Sequence, residues 1–474
     1  MTILGGNAHW IAGIAALGAS AVGVARAQGA PCRVAGLEEQ VRCGTVEVPE
    51  NRTTTGGRMI SLRVVILPSR APAVAPRQAL FYLVGGPGLA ASTLADLVAT
   101  THATARATHD IVLVDQRGTG GSNPLQCNLY GDGGDLATYL GHQFPVDSVR
   151  ACSTRLARRA DLAQYTTANA ADDLDAVRAW LGVQHIDLDA SAYGTRVAFE
   201  YLARYGQHVR SAVLQGAIPQ DVSLARTAAR DAQSALDRVF ADCTADPFCR
   251  TSFPALRREL STLLARLDRG PLSVRVEHPR SKDSATVALT RDVFADRLRI
   301  MLYSTRLSRR IPVVLHHAHD GDWTPFIALA YELSRVVFDQ LDAGAHLSAT
   351  CVDDLQPSSD TRGSFLGDSR LRMYREACAV WPHAQGSAIE LLVASRAPVL
   401  LIAGALDPVT PPSFARTVAQ KVPNARVVEV PGMAHAGADP CVEGIVAQFI
   451  SRGNLQGLDT ECVSTVKAPP FITR

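Results

Sequence analysis

Residues 186–195 read IDLDASAYGT, an alternating Ile-Asp-Leu-Asp run that ends in a cluster of small residues. This is the pattern of a strand entering a nucleophile elbow, where the chain turns sharply and one residue sits strained at the tip before a helix. Small residues are required two before and two after the tip, because backbones pack closely there. The frame that satisfies this is Ala190-Ser191-Ala192-Tyr193-Gly194, which centres on Ala192. Centring on Ser191 puts Asp189 and Tyr193 at the crowded positions, a sterically poor arrangement. The tip therefore carries a methyl group where acyl transfer needs a hydroxyl.

Two further segments supply the partners of a nucleophile. PVLLIAGALDPVTP (398–411) is an apolar strand ending in a loop with Asp407, and ARVVEVPGMAHAG (425–437) is a second strand followed by a loop with His435. The order nucleophile, acid, histidine is that of the α/β-hydrolases. His435 is expected to take the nucleophile's proton while Asp407 fixes its tautomer. Upstream, ALFYLVGGPG (79–88) is an apolar strand breaking into a glycine-proline loop. Such a loop can aim backbone N–H groups at an oxyanion, and those of Gly86 and Tyr193 are the candidates. HDIVLVDQRGTGGS (109–122) is a further buried strand ending in Asp115 and a glycine-rich turn.

Together VGGPG, DQRGTGGS, SAYGTR, ALDPVTP and GMAHAG resemble the tripeptidyl-aminopeptidase-like branch of the proline iminopeptidase family of α/β-hydrolases. The likeness extends through residues 236–272, ATCVDD (349–354) and CAVWP (378–382), and spans roughly Cys43 to Cys462. The resemblance implies Ala192 at the nucleophile position, Asp407 and His435 as partners, and an oxyanion hole at Gly86 and Tyr193. It also implies peptide substrates cleaved from a free N-terminus. The chain departs from the family at position 192, normally Ser, and at position 190, often Gly. Family members also commonly carry His ahead of the GGPG run, where Val84-Gly85 stands here. Three readings of Ala192 stay open: a substitution introduced into an active hydrolase, a natural loss leaving a binding protein, or catalysis by Ser191 through a shifted turn. Esterase, amidase and lactonase chemistry would use nearly the same residues.

The chain has 474 residues, 47% hydrophobic and 19% charged, enough for a large core. A net charge of +2 gives no argument for nucleic acid or an anionic membrane as partner. The basic residues are nearly all Arg; Lys282, Lys421 and Lys467 are the lysines. The expected partner is a small-molecule or peptide substrate, with no cofactor and no metal; the oligomeric state stays open. Residues 1–27 read as a signal peptide, with an apolar stretch from Trp10 to Val24 and an Ala25-Arg26-Ala27 cleavage site. Ten cysteines fall into neighbours: Cys32 with Cys43, Cys127 with Cys152, Cys243 with Cys249, Cys351 with Cys378, and Cys441 with Cys462. An even count behind such a leader indicates disulfides and a secreted or periplasmic protein without a stable membrane span in the mature chain. His316, His317 and His319 form a cluster better explained as ordinary helix positions than as a metal site.

The alternation of strands and helices predicts a mostly parallel sheet with helices on both faces. Residues 28–219 and 391–474 form the two parts of this core, and 220–390 a mainly helical cap inserted between them. Such a cap would cover a site at the carboxyl ends of the strands. An exopeptidase needs carboxylates for the substrate's α-ammonium, and Asp353 and Asp354 are the candidates, with a solvated turn as the plainer reading.

Overall fold

The computed structural model describes residues 29–71, 78–130, 136–352, 355, 359–384 and 395–473. The expected leader, residues 1–27, and the pair Asp353–Asp354 lie outside the described residues. Eleven strands are present among them: β1 Ala30–Cys32, β2 Val41–Pro49, β3 Met59–Leu67, β4 Gln78–Leu83, β5 His109–Val114, β6 Ile186–Ser191, β7 Val209–Gln215, β8 Leu272–Glu277, β9 Ser284–Leu289, β10 Val399–Gly404 and β11 Ala425–Val430. Nine of them form one sheet in the order β1-β2-β3-β5-β4-β6-β7-β10-β11. Pairing is antiparallel from β1 to β5 and parallel from there to β11.

The central strands are apolar on both faces because both faces are covered. All six residues of β10 are buried, and five of six in β6. One face packs on the helices Thr167–Leu181, Tyr193–Tyr205 and Pro412–Lys421, the other on Ala95–Thr101 and Pro440–Arg452. Thr167–Leu181 leads directly into the elbow strand β6. Its start is fixed by Thr166, whose side chain accepts from the Asn169 N–H, and its end by Gly182 at φ 70°. The glycine-rich DQRGTGGS turn has a structural task. Asp115 accepts from the N–H and hydroxyl of Ser92 and from the Gly121 N–H, and Arg117 forms a buried two-pronged pair with Asp173.

Between β7 and β10 the chain leaves the sheet and, together with residues between Leu125 and Tyr165 from the β5–β6 connection, builds a second apolar cluster. Helix Leu256–Leu267 shows how: Leu256, Leu260, Leu263 and Leu267 recur at helical spacing and are all buried. Burying each such side chain contributes about 1.5–3 kcal/mol, which outweighs the polar remainder of the helix. Within this segment β8 and β9 pair as an antiparallel hairpin. All five expected cysteine pairs are bonded. Cys32–Cys43 pins β1, a three-residue strand too short to show in the sequence pattern. Among the described residues no helix is long and apolar enough to cross a membrane.

Candidate active site

The strand β6 ends at Ser191, and the next residue, Ala192, has φ 48° and ψ −119°. A non-glycine residue held there is strained, and the surroundings hold it. The Ala192 N–H donates to the Gln215 carbonyl at 2.9 Å, and its own carbonyl accepts from the backbone and hydroxyl of Thr195. A methyl group on Gly194 would stand 2.2 Å from the Leu83 carbonyl oxygen, so only glycine fits two residues past the tip. Ala190, two residues before it, is fully buried. The elbow is therefore centred on Ala192, and Ser191 is the last strand residue rather than the tip.

Asp407 sits in the loop after β10 and His435 in the loop after β11, joined by a 2.8 Å hydrogen bond from Nδ1 to Oδ2. Asp407 also accepts from the N–H groups of Val409 and Thr410 and from the Thr410 hydroxyl, at 2.7, 2.8 and 2.6 Å. Burial alone would raise this carboxyl's pKa; the His435 contact and the Thr410 donors outweigh it and hold it below the ordinary value. An ionised Asp407 makes Nδ1 of His435 the donor, which leaves Nε2 as the acceptor. Nε2 has no partner among the described residues, and the ring lies edge-on to Tyr303 at 5.3 Å.

The glycine loop after β4 closes on the tip. A methyl group on Gly85 would stand 3.1 Å from the Ala192 Cβ, so the loop backbone lies directly against the tip of the elbow. This loop is clamped from above. The Asp342 N–H donates to the Gly88 carbonyl, and buried His346 bonds the Pro87 carbonyl at 2.9 Å through Nδ1 and the Tyr374 hydroxyl at 2.9 Å through Nε2. Burial pushes the His346 pKa down to about 4, so the ring is neutral, with Nδ1 donating and Nε2 accepting. Gly85, Gly86, Ser191, Ala192, Tyr193, Asp407 and His435 all line one cavity of about 660 Å³. Four segments distant in sequence, at the ends of β4, β6, β10 and β11, thus meet at one place, at the carboxyl ends of the parallel strands.

The model of the α/β hydrolase fold family matches residues 85–439, most of the chain. The chain belongs to the α/β-hydrolase family. Among its relatives, serine protease Hip1 of Mycobacterium tuberculosis is 24% identical over 478 aligned residues, covering 91% of this chain and 90% of the relative. Carboxylesterase B of the same organism is 27% identical, covering 89% and 86%. A tripeptidyl aminopeptidase of Streptomyces coelicolor is 27% identical over 197 residues, 38% of this chain and 36% of that one. The solved structure of a proline iminopeptidase from Mycobacterium smegmatis covers 86% of this chain and 98% of its own, with 18% identity and a TM-score of 0.45. The family match and the relatives found by sequence bear out the resemblance read from the motif set.

In this α/β hydrolase several cavity residues escape a reading of the sequence. Gly85 is nearer the tip than its neighbour suggests, and Thr410, within ALDPVTP, braces both Asp407 and His435. Asp189 of β6 is fully buried and pairs with His102 at 2.8 Å, beneath the elbow and on the cavity wall. Arg299 and Arg370 reach the cavity from the helices Arg291–Met301 and Ser369–Cys378. His316, His317 and His319 sit on helix Ile311–His319 and face Glu259, Asp322 and Asp320 respectively.

Proposed function

We propose that this α/β hydrolase is a secreted or periplasmic serine-hydrolase scaffold built for acyl transfer, with Ala192 in the nucleophile position. The observation that carries the reading is the strained φ of 48° at Ala192, on a cavity shared with an Asp407–His435 pair whose Nε2 is open. With serine at position 192, His435 Nε2 takes the hydroxyl proton as the oxygen attacks a carbonyl carbon. The oxyanion is met by N–H groups at Gly86 and Tyr193, the latter at the first turn of helix Tyr193–Tyr205. His435 then protonates the leaving group, and water hydrolyses the acyl-enzyme by the reverse path. As written, the chain binds substrate and forms no acyl-enzyme. The segment 220–390 acts as a cap that shapes the cavity and limits water.

The favoured substrate is a peptide opened near its N-terminus, in keeping with the tripeptidyl aminopeptidase among the relatives. Its α-ammonium would pair with carboxylates such as Asp353 and Asp354. The competing reading is an esterase or amidase, in keeping with the carboxylesterase B among the relatives. The test is hydrolysis by the chain as written and by Ala192→Ser, on aminoacyl p-nitroanilides and p-nitrophenyl esters. The serine form should turn over at least about 10³-fold faster. Equal rates would remove position 192 from the chemistry, and no turnover by either form would favour a binding protein.

A further inference from the structure

We infer that the cavity receives a carboxylate of its substrate between Arg299 and Arg370, so that the substrate class is anionic. The inference rests on the proposed function only in taking this cavity as the substrate site. Three arginines gather on one acid: Asp296 bonds Arg297 at 2.6 Å, Arg370 at 2.7 Å and Arg299 at 3.3 Å. Three positive charges against one negative leave an excess of two among the described residues.

That excess points at the cavity. Arg297 turns away to the carbonyl oxygens of Tyr139 and Gly141, at 3.0 and 2.9 Å, and does not line the cavity. Arg299 and Arg370 do line it, although Arg299 is only 5% exposed. Buried like charges without a counter-charge are costly, and a cluster serving stability alone is expected to balance itself. The other cavity carboxylates do not balance it. Asp189 is engaged by His102 and Gln215, Asp407 by His435 and Thr410, and Asp439 caps helix Pro440–Arg452. Glu443 stands on that same helix, beside Val442 and Val446, and makes no ion pair with either arginine.

The two guanidinium groups are also held in place before any ligand arrives. Arg299 donates from Nη1 to the Tyr303 hydroxyl at 2.6 Å, and Arg370 from Nη2 to the Tyr374 hydroxyl at 3.0 Å. The Nη2 of Arg299 makes no hydrogen bond among the described residues. A planar guanidinium held in one orientation with an Nη2 still free to donate is suited to a carboxylate. Its position is close to the chemistry. Arg299 lies 5.1 Å from the Tyr303 ring, and that ring lies 5.3 Å from His435. Tyr374 further bonds His346, which grips the Pro87 carbonyl, so Arg370 is linked through two hydrogen bonds to the clamp on the glycine loop.

The test uses the chain as written, which does not consume its ligands. Binding of glutaric acid monoanilide and of its primary amide, the neutral isostere, is measured by calorimetry at pH 7. The acid should bind at least about tenfold more tightly, the preference falling with added salt. Arg299→Gln should bring the two ligands to near equality, and Arg299→Lys should keep part of the preference. Equal affinity in the unaltered chain, undetectable binding of both included, would overturn the inference, as would a preference unmoved in a folded Arg299→Gln protein. The comparison of acid with amide needs no variant, so it stands even if a substitution impairs folding. Failure of the Ala192→Ser protein to hydrolyse anything would instead remove the acyl-transfer reading and leave the ligand preference standing.

Discussion

Two aspartate–histidine pairs line the same cavity, and at first order they are alike. Asp407–His435 and Asp189–His102 both have a 2.8 Å contact from a ring nitrogen to a carboxylate oxygen. Each imidazole also meets a tyrosine edge-on, Tyr303 at 5.3 Å and Tyr82 at 5.5 Å. They differ in what is left over. His102 has its second nitrogen bonded to the Thr101 hydroxyl, and Asp189 has its second oxygen bonded to Gln215. His435 has an open Nε2 and stands on a loop at the strand ends, beside the elbow tip. Composition and distance thus do not distinguish the two pairs; the free acceptor nitrogen is what suits His435 to the proton transfer proposed for it.

The largest effect that sharpens this contrast is on rate. In an Ala192→Ser background, His435→Ala should lower kcat by about 10³-fold or more, and His102→Ala by less than about fivefold. Steady-state kinetics on a p-nitrophenyl ester would measure both, and equal losses would erase the distinction. The next effect is on stability and runs the other way. Asp189→Asn breaks a fully buried pair in the middle of β6 and should cost about 3 kcal/mol in urea unfolding. Asp407→Asn, whose one oxygen keeps the Val409 and Thr410 N–H donors, should cost less while abolishing most of the activity of the serine form.

The smallest effects are on pH dependence and have opposite signs. Asp407 is depressed in the folded state, so its contribution to stability is present above its ordinary value and is lost as pH falls through the lower folded value. Asp407→Asn should therefore flatten the acid limb of a Tm profile. Asp342, on the far side of the glycine loop, is raised to about 6, chiefly by burial and against the Gly120 N–H that lowers it. Its contribution is full below the ordinary carboxyl range and is lost as pH rises through about 6. Asp342→Asn should remove that small decline, and an unchanged profile would contradict it.

The sheet and the elbow were legible because both rest on short-range rules. Ala190, Ala192 and Gly194 satisfy a steric pattern within five residues, and Asp407 and His435 each follow an apolar strand directly. The disulfide partners were legible because each pair lies close in sequence. What stayed hidden depends on long-range packing. Asp189 is 87 residues from His102, and nothing in an alternating strand marks one acid as buried. Nothing in the sequence singles out Arg299 or Arg370, and only tertiary structure brings them together on Asp296. The sequence does not distinguish Gly86 from its neighbouring glycines, and the closeness of Gly85 to Ala192 exists only in the folded loop.

Covalent labelling probes the elbow itself most directly. Both the chain as written and Ala192→Ser are treated with a fluorophosphonate, and the modified residue is located by mass spectrometry. The label should appear at position 192 in the serine form alone, and its formation should fall sharply on His435→Ala. Label on Ser191 in the chain as written, or none on the serine form, would contradict an elbow centred on residue 192.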